Sequence, residues 1–119
     1  MRIKKLLTCA LVAIVALTAF SLAQDPHKVG PSIYKQKLEN ERTRVYEITF
    51  KPGAEIAMHG HPDHVVYVVS PGTLSITEKG KDPIKMDGKA GDTFFLPAQS
   101  HSAKNIGKTT FKAVVVELK

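Results

Sequence analysis

Residues 59–77 read HGHPDHVVYVVSPGTLSIT. His59 and His61 stand two apart, so on a strand both side chains leave the same face, roughly 6.5–7 Å apart along the chain. Behind them, Val65 to Val69 is a run of β-branched and aromatic residues, the composition of a strand buried on both faces. Ser70-Pro71-Gly72 is turn chemistry. Leu74 and Ile76 then alternate with Thr73, Ser75 and Thr77, the period of a half-buried strand. The stretch is β throughout.

The same pattern extends in both directions. Tyr46, Ile48 and Phe50 alternate with Glu47 and Thr49, and short apolar runs recur at 84–86, 93–96 and 111–118. Turn residues separate them at 51–53, 79–83, 87–92 and 97–100. No window of a dozen residues keeps a helical period. Many short strands at close spacing predict an all-β sandwich or barrel.

At the N-terminal end the composition changes. The chain has 119 residues, a formal net charge of +6 and one cysteine, and the excess of basic side chains invites a nucleic-acid partner. Residues 1–23, however, hold three of the basic residues, the cysteine (Cys9) and half of the charge excess. Arg2, Lys4 and Lys5 precede an apolar stretch from Leu6 to Phe20, and Ser21-Leu22-Ala23 is a small-x-small cleavage site before Gln24. This predicts a secretory signal peptide. An uncleaved anchor, the alternative, needs about 18–20 apolar residues. The protein is therefore expected to be exported, periplasmic if its source is Gram-negative, with no stable membrane insertion once the signal is removed.

The remaining 96 residues carry a net charge of +3 and no cysteine. Nucleic acid is not an expected partner of so weakly basic a domain. With no thiolate available, any metal must be held by nitrogen or oxygen. Residues 24–32, with two prolines and a glycine, read as a flexible leader, and residues 33–119 as one domain.

Four of the five histidines fall into two clusters: His59, His61 and His64, and then His101. Imidazoles can converge on one ion at about 2.1 Å from each nitrogen, and they suit zinc, iron, copper and nickel. A lone His-x-His pair on a surface strand is usually just solvated, so the surroundings decide. His27, in the leader, is expected to be inert.

Five residues separate Gly53 from His59, and Gly72 closes the strand after the cluster. Farther on, Gly91, Pro97, His101 and Asn105 form a second series. Together these spacings resemble the two motifs of the cupin superfamily over nearly all of residues 33–119. The resemblance implies a jelly-roll barrel, also called a double-stranded β-helix. It also implies one divalent transition ion (iron, zinc, manganese, nickel or copper) held by His59, His61 and His101.

Two departures bear on chemistry. Val65, or Val66 on the longer spacing, stands where the family's ligand glutamate is expected, and Gln99 stands in place of a glycine. His64 is adjacent to the vacated position. By strand alternation it points away from the ion unless the register shifts after Pro62, and with that shift it becomes a fourth ligand.

The resemblance further implies a pocket for a small organic ligand, with Met58, Tyr67, Phe94, Phe95 and Phe111 as candidate walls. Asp63 and Glu55 are candidate acceptors for an imidazole N–H. Tyr67, Tyr46, Glu47 and His64 are possible proton-transfer groups, and no catalytic residue is assigned. The function expected is a metal-dependent small-molecule enzyme, an oxygenase or an isomerase/lyase; the alternative is a non-catalytic module that binds metal or a small ligand. Small members of the family commonly pair, and Ala113 to Val116 is an apolar end strand of the kind that needs cover at a sheet edge. A homodimer is therefore expected.

Overall fold

A computed structural model describes residues 24–119; residues 1–23, where a signal peptide is expected, lie outside the described residues. Among the described residues nine strands come after one short helix. They are α1 (Pro26–Val29), β1 (Tyr34–Glu39), β2 (Thr43–Phe50), β3 (Glu55–His61), β4 (His64–Ser70), β5 (Gly72–Glu78), β6 (Ile84–Gly88), β7 (Thr93–Leu96), β8 (Gln99–Asn105) and β9 (Phe111–Leu118). They form two antiparallel sheets, in the orders β1-β2-β9-β4-β7 and β3-β8-β5-β6. This is the all-β jelly-roll the sequence predicts. Among the described residues no helix is long and apolar enough to cross a membrane.

Period-2 alternation builds the core. Tyr46, Ile48 and Phe50 on β2 and Phe111, Ala113 and Val115 on β9 face Ile56, Leu74 and Ala103 of the opposite sheet. Gly72 opens β5 against Phe111 of β9: a Cβ there would lie 2.9 Å from the Phe111 Cβ. Gly72→Ala is expected to destabilise the fold by about 1–3 kcal/mol, since backbone or Phe111 must move. Thermal unfolding checks this, and an unchanged midpoint would contradict it.

Three expectations need correction. The run Val65 to Val69 is buried on one face only; Tyr67 and Val69 are about half exposed, because the outer face of an antiparallel sheet is left open to water. β9 is not an edge but the central strand of its sheet, hydrogen-bonded to β2 and β4. The leader is also structured. Pro26 opens a helical turn and is buried, Asp25 O accepts the N–H groups of Lys28 and Val29, and Gly60 N–H donates to Gln24 O at 2.9 Å. This segment covers the free edge of β3. His27 is tied in as well, its Nδ1 lying 2.8 Å from the Tyr46 hydroxyl.

The open face of the five-stranded sheet carries an apolar row from edge to edge. Phe95 pairs with Val65, Val65 with Val116, Val116 with Val45, and Val45 with Leu38. Phe95 and Leu38, at its two ends, are more than half exposed.

Candidate metal centre

Strand β3 carries two of the candidate ligands, and a bulge sets their direction. Its register with β8 shifts between Ile56 and His59, so Ile56 and His59 both face inward although they are three apart. Met58, in the bulge, is turned outward. His59 lies directly opposite His101, and His61 opposite Gln99. His59, His61 and His101 thus converge, with ligating nitrogens within 4.8 Å of one another, a spacing that suits a common ion.

His64 also points inward. β3 ends at His61 and β4 begins at His64, so Pro62 and Asp63 break the chain and reset the alternation. His64, Val66 and Val68 then share the core face. The His64 ring stacks on His61, with centroids 4.4 Å apart and planes 22° apart. Its nitrogens fall outside the 4.8 Å group.

Each of the four rings is held by one nitrogen. His59 Nδ1–H donates to Ala57 O at 2.8 Å, and His64 Nδ1–H to Pro62 O at 2.8 Å. His101 Nδ1–H donates to Gln99 Oε1 at 2.8 Å, and His61 Nδ1–H to Glu117 Oε2 at 2.6 Å. A carbonyl or carboxylate oxygen can only accept, so the proton sits on Nδ1 and the lone pair on Nε2 in every case. The Gln99 amide is itself oriented by donation from Nε2 to Pro97 O at 3.2 Å.

The lone pairs left free fit a metal ion. His59 Nε2 is fully buried and has no hydrogen-bond partner, a cost of about 1–3 kcal/mol in a protein that had no further use for it. His61 Nε2 has only the Tyr34 hydroxyl, at 3.4 Å. Nitrogen donors pre-set by carbonyl and carboxylate acceptors are the usual arrangement around a bound transition ion.

The sequence and the fold match known proteins. A family model described as a cupin domain matches residues 46–117. The chain belongs to the cupin family. A cupin domain from Bordetella pertussis Tohama I is 30% identical, with a TM-score of 0.67 over 73% of this chain and 92% of that one. A conserved protein with a double-stranded β-helix domain from Klebsiella pneumoniae is 31% identical, with a TM-score of 0.60 over 72% and 75%. The DMSP lyase DddQ from Ruegeria pomeroyi is 18% identical, with a TM-score of 0.54 over 73% of this chain and 47% of that one, and shares the fold alone. No curated protein matches the chain.

As a cupin, the protein accounts for its own departures. Of the two positions for the absent glutamate, Val65 faces out and Val66 in, and His64 shares the inward face two residues earlier. Gln99, which displaces a motif glycine, supplies the acceptor that fixes His101. Asn105 is a structural knot, donating to Phe50 O and Thr109 O and accepting from Gly107 N–H.

Other expected residues lie elsewhere. Tyr67 and Phe95 are exposed on the outer face, Glu47 is exposed, and Phe94 is only packed against the core; of the proposed walls, Phe111 lines the cavity. Asp63 accepts from Ala98 N–H and Glu55 is exposed, so neither orients a histidine. Tyr46 is committed to His27 and Arg44.

Two residues of the site escaped sequence reasoning, Glu117 and Tyr34. The alternation Phe111, Ala113, Val115, Glu117 already places a carboxylate on the inward face of β9, and that was the available signal. Tyr34 comes directly after the leader and carries no comparable mark.

Burial lowers the pKa of all four histidines, His61 to about 2 and His101 to about 3, and neighbouring imidazoles add to the shift at His59, His61 and His101 but not at His64. Burial also pushes the Glu117 carboxyl up, against the pull of Arg44 3.9 Å away. His61 and His101 are therefore neutral well below pH 6.5, and His59 and His64 are shifted in the same direction. Three ordinary imidazoles would release about two protons on binding a metal at pH 6. Here the release is expected to be clearly smaller, which calorimetry in buffers of different ionisation enthalpy measures. Stability has the matching sign. Unfolded histidines take up protons that the buried ones refuse, so the metal-free fold weakens as pH falls from about 6.5 towards the lowered values.

Proposed function

We propose that the protein is an exported, mononuclear metal-dependent cupin enzyme for a small organic molecule, with His59, His61, His64 and His101 as ligands. The observation that carries this reading is the convergence of His59, His61 and His101, with His64 stacked beside them and each of the four rings anchored through Nδ1 so that Nε2 carries the lone pair. A divalent ion there would supply Lewis acidity for isomerase or lyase chemistry, or an oxygen-reactive centre for an oxygenase.

The chain's own residues do the rest. The apolar walls exclude water from the ligand. Tyr34 keeps its proton, because burial and the nearby Glu117 raise its pKa, so its hydroxyl is a donor for an oxygen atom of the bound molecule. The carboxylate of Glu117 holds His61 in place. Apart from the histidines, Tyr34 is the sole titratable side chain lining the cavity among the described residues, and this favours, as the second reading, a module that binds metal and ligand without catalysis.

Metal analysis after dialysis, then oxygen uptake of the Fe(II)-loaded protein with catechols, thiols and flavonols, tests the reading. Bound metal with turnover supports the enzyme, bound metal with no turnover on these or on carbonyl substrates supports the module, and no bound metal removes both. Export is tested by the N-terminus of the secreted chain, expected at Gln24.

We further infer that a second copy covers the apolar row from Phe95 to Leu38. Lys35 and Glu47 are paired one row inward on the same sheet, so both signs of charge are present to meet their opposites across a two-fold axis. Light scattering at micromolar concentration is expected to give a dimer, and Phe95→Lys a monomer. A monomeric wild type would overturn this assignment.

A further inference from the structure

The cavity onto which the histidines open joins two unlike halves. Tyr34, His61, His64 and His101 form the polar one. Val66, Leu74, Met86, Leu96, Ala103 and Phe111 belong to the other, and no charged side chain lines the space anywhere. Its volume is about 40 Å³, room for about three water-sized groups.

A sugar, nucleotide or polyanion placed there would bury hydroxyls or charges against hydrocarbon with nothing to pair them. The four imidazoles are neutral donors, so a dication among them would keep its full charge and favour one anionic head on the bound molecule. Size, wall chemistry and charge thus restrict the ligand together.

We propose that the ligand of this centre is a short-chain molecule with one carboxylate-like, metal-binding head and a short hydrocarbon body, head and body sharing the one small cavity. This rests on the metal-centre reading above. The head meets the ion and the Tyr34 hydroxyl, while the body displaces water from the apolar half.

The test uses the Co(II)-loaded protein, titrated with formate, acetate, propionate, butyrate and hexanoate and monitored by the visible absorption of the cobalt. Affinity is expected to rise about fourfold per added methylene over the shortest acids and to stop rising before hexanoate. 3-Hydroxypropionate, which replaces the terminal methyl of butyrate by a hydroxyl, should bind at least about tenfold more weakly. Ala103→Leu narrows the apolar half and should move the break to a shorter acid with cobalt content unchanged. Leu96→Phe, at the half-buried end of β7, serves the same purpose should the first variant not fold.

Equal affinity for formate and butyrate, or for butyrate and 3-hydroxypropionate, with cobalt bound, overturns the ligand class and leaves the metal centre standing. Equal binding of the series to cobalt-free protein overturns the role of the head. Failure to bind cobalt overturns this inference together with the reading on which it rests.

Discussion

Replacing His59 by leucine is expected to cost the protein its metal while leaving its metal-free fold as stable as before, or more so. His59 is 2% exposed and its Nε2 has no partner. An unsatisfied buried nitrogen costs about 1–3 kcal/mol, and an apolar side chain of similar size relieves that cost. The one bond given up, from Nδ1–H to Ala57 O, leaves a carbonyl on an exposed residue that water can satisfy. A structural zinc with four ligands is worth about 10–16 kcal/mol, so losing one ligand should weaken binding by about 3 kcal/mol, a hundredfold or more. Competition with a chromophoric chelator measures the affinity, and thermal unfolding without metal measures the stability. Lost stability with unchanged affinity would make His59 an ordinary core residue.

The second large effect belongs to Glu117. Its carboxylate is buried, 2.6 Å from His61 Nδ1 and 3.9 Å from Arg44, which also reaches Glu39 at 3.0 Å and Asp25 at 3.2 Å. Glu117→Gln keeps an oxygen to accept from Nδ1–H but removes the charge. Glu117→Ala removes both. Acceptors behind a metal-bound histidine are typically worth 10–100-fold in affinity. Glu117→Ala is expected towards the upper end of that range and Glu117→Gln towards the lower. Glu117→Ala should also cost about 1–3 kcal/mol of stability, because it leaves the buried Nδ1–H of His61 without an acceptor. Zinc affinity unchanged in both variants would show that His61 needs no support from β9.

Much of this is legible in the sequence, and the reasons differ residue by residue. His59, His61 and His101 carry family spacings, and the jelly-roll comes from short strands between turn residues. The features beyond the reach of sequence alone depend on irregularities in the chain. The bulge at 57–58 turns Met58 outward and lets His59 join Ile56 on the inner face, and strict alternation has no means of placing it. The break at Pro62 and Asp63 restarts the alternation and brings His64 inside. Glu117 stands on the inward face of a recognisable strand, but a carboxylate near a chain end reads as an ordinary surface group. Its role needs β9 to lie between β2 and β4, where Arg44 and His64 become its cross-strand neighbours. Order of strands in a sheet is a long-range property, and local patterns do not encode it.

The central claim is a metal held by imidazole nitrogen. X-ray absorption on the zinc-loaded protein tests it directly. One equivalent of zinc that survives dialysis is expected, with a nitrogen shell at about 2.0–2.1 Å and the outer-shell scattering of three or four imidazole rings. A shell of oxygen without imidazole scattering, or zinc that dialyses away, would contradict it.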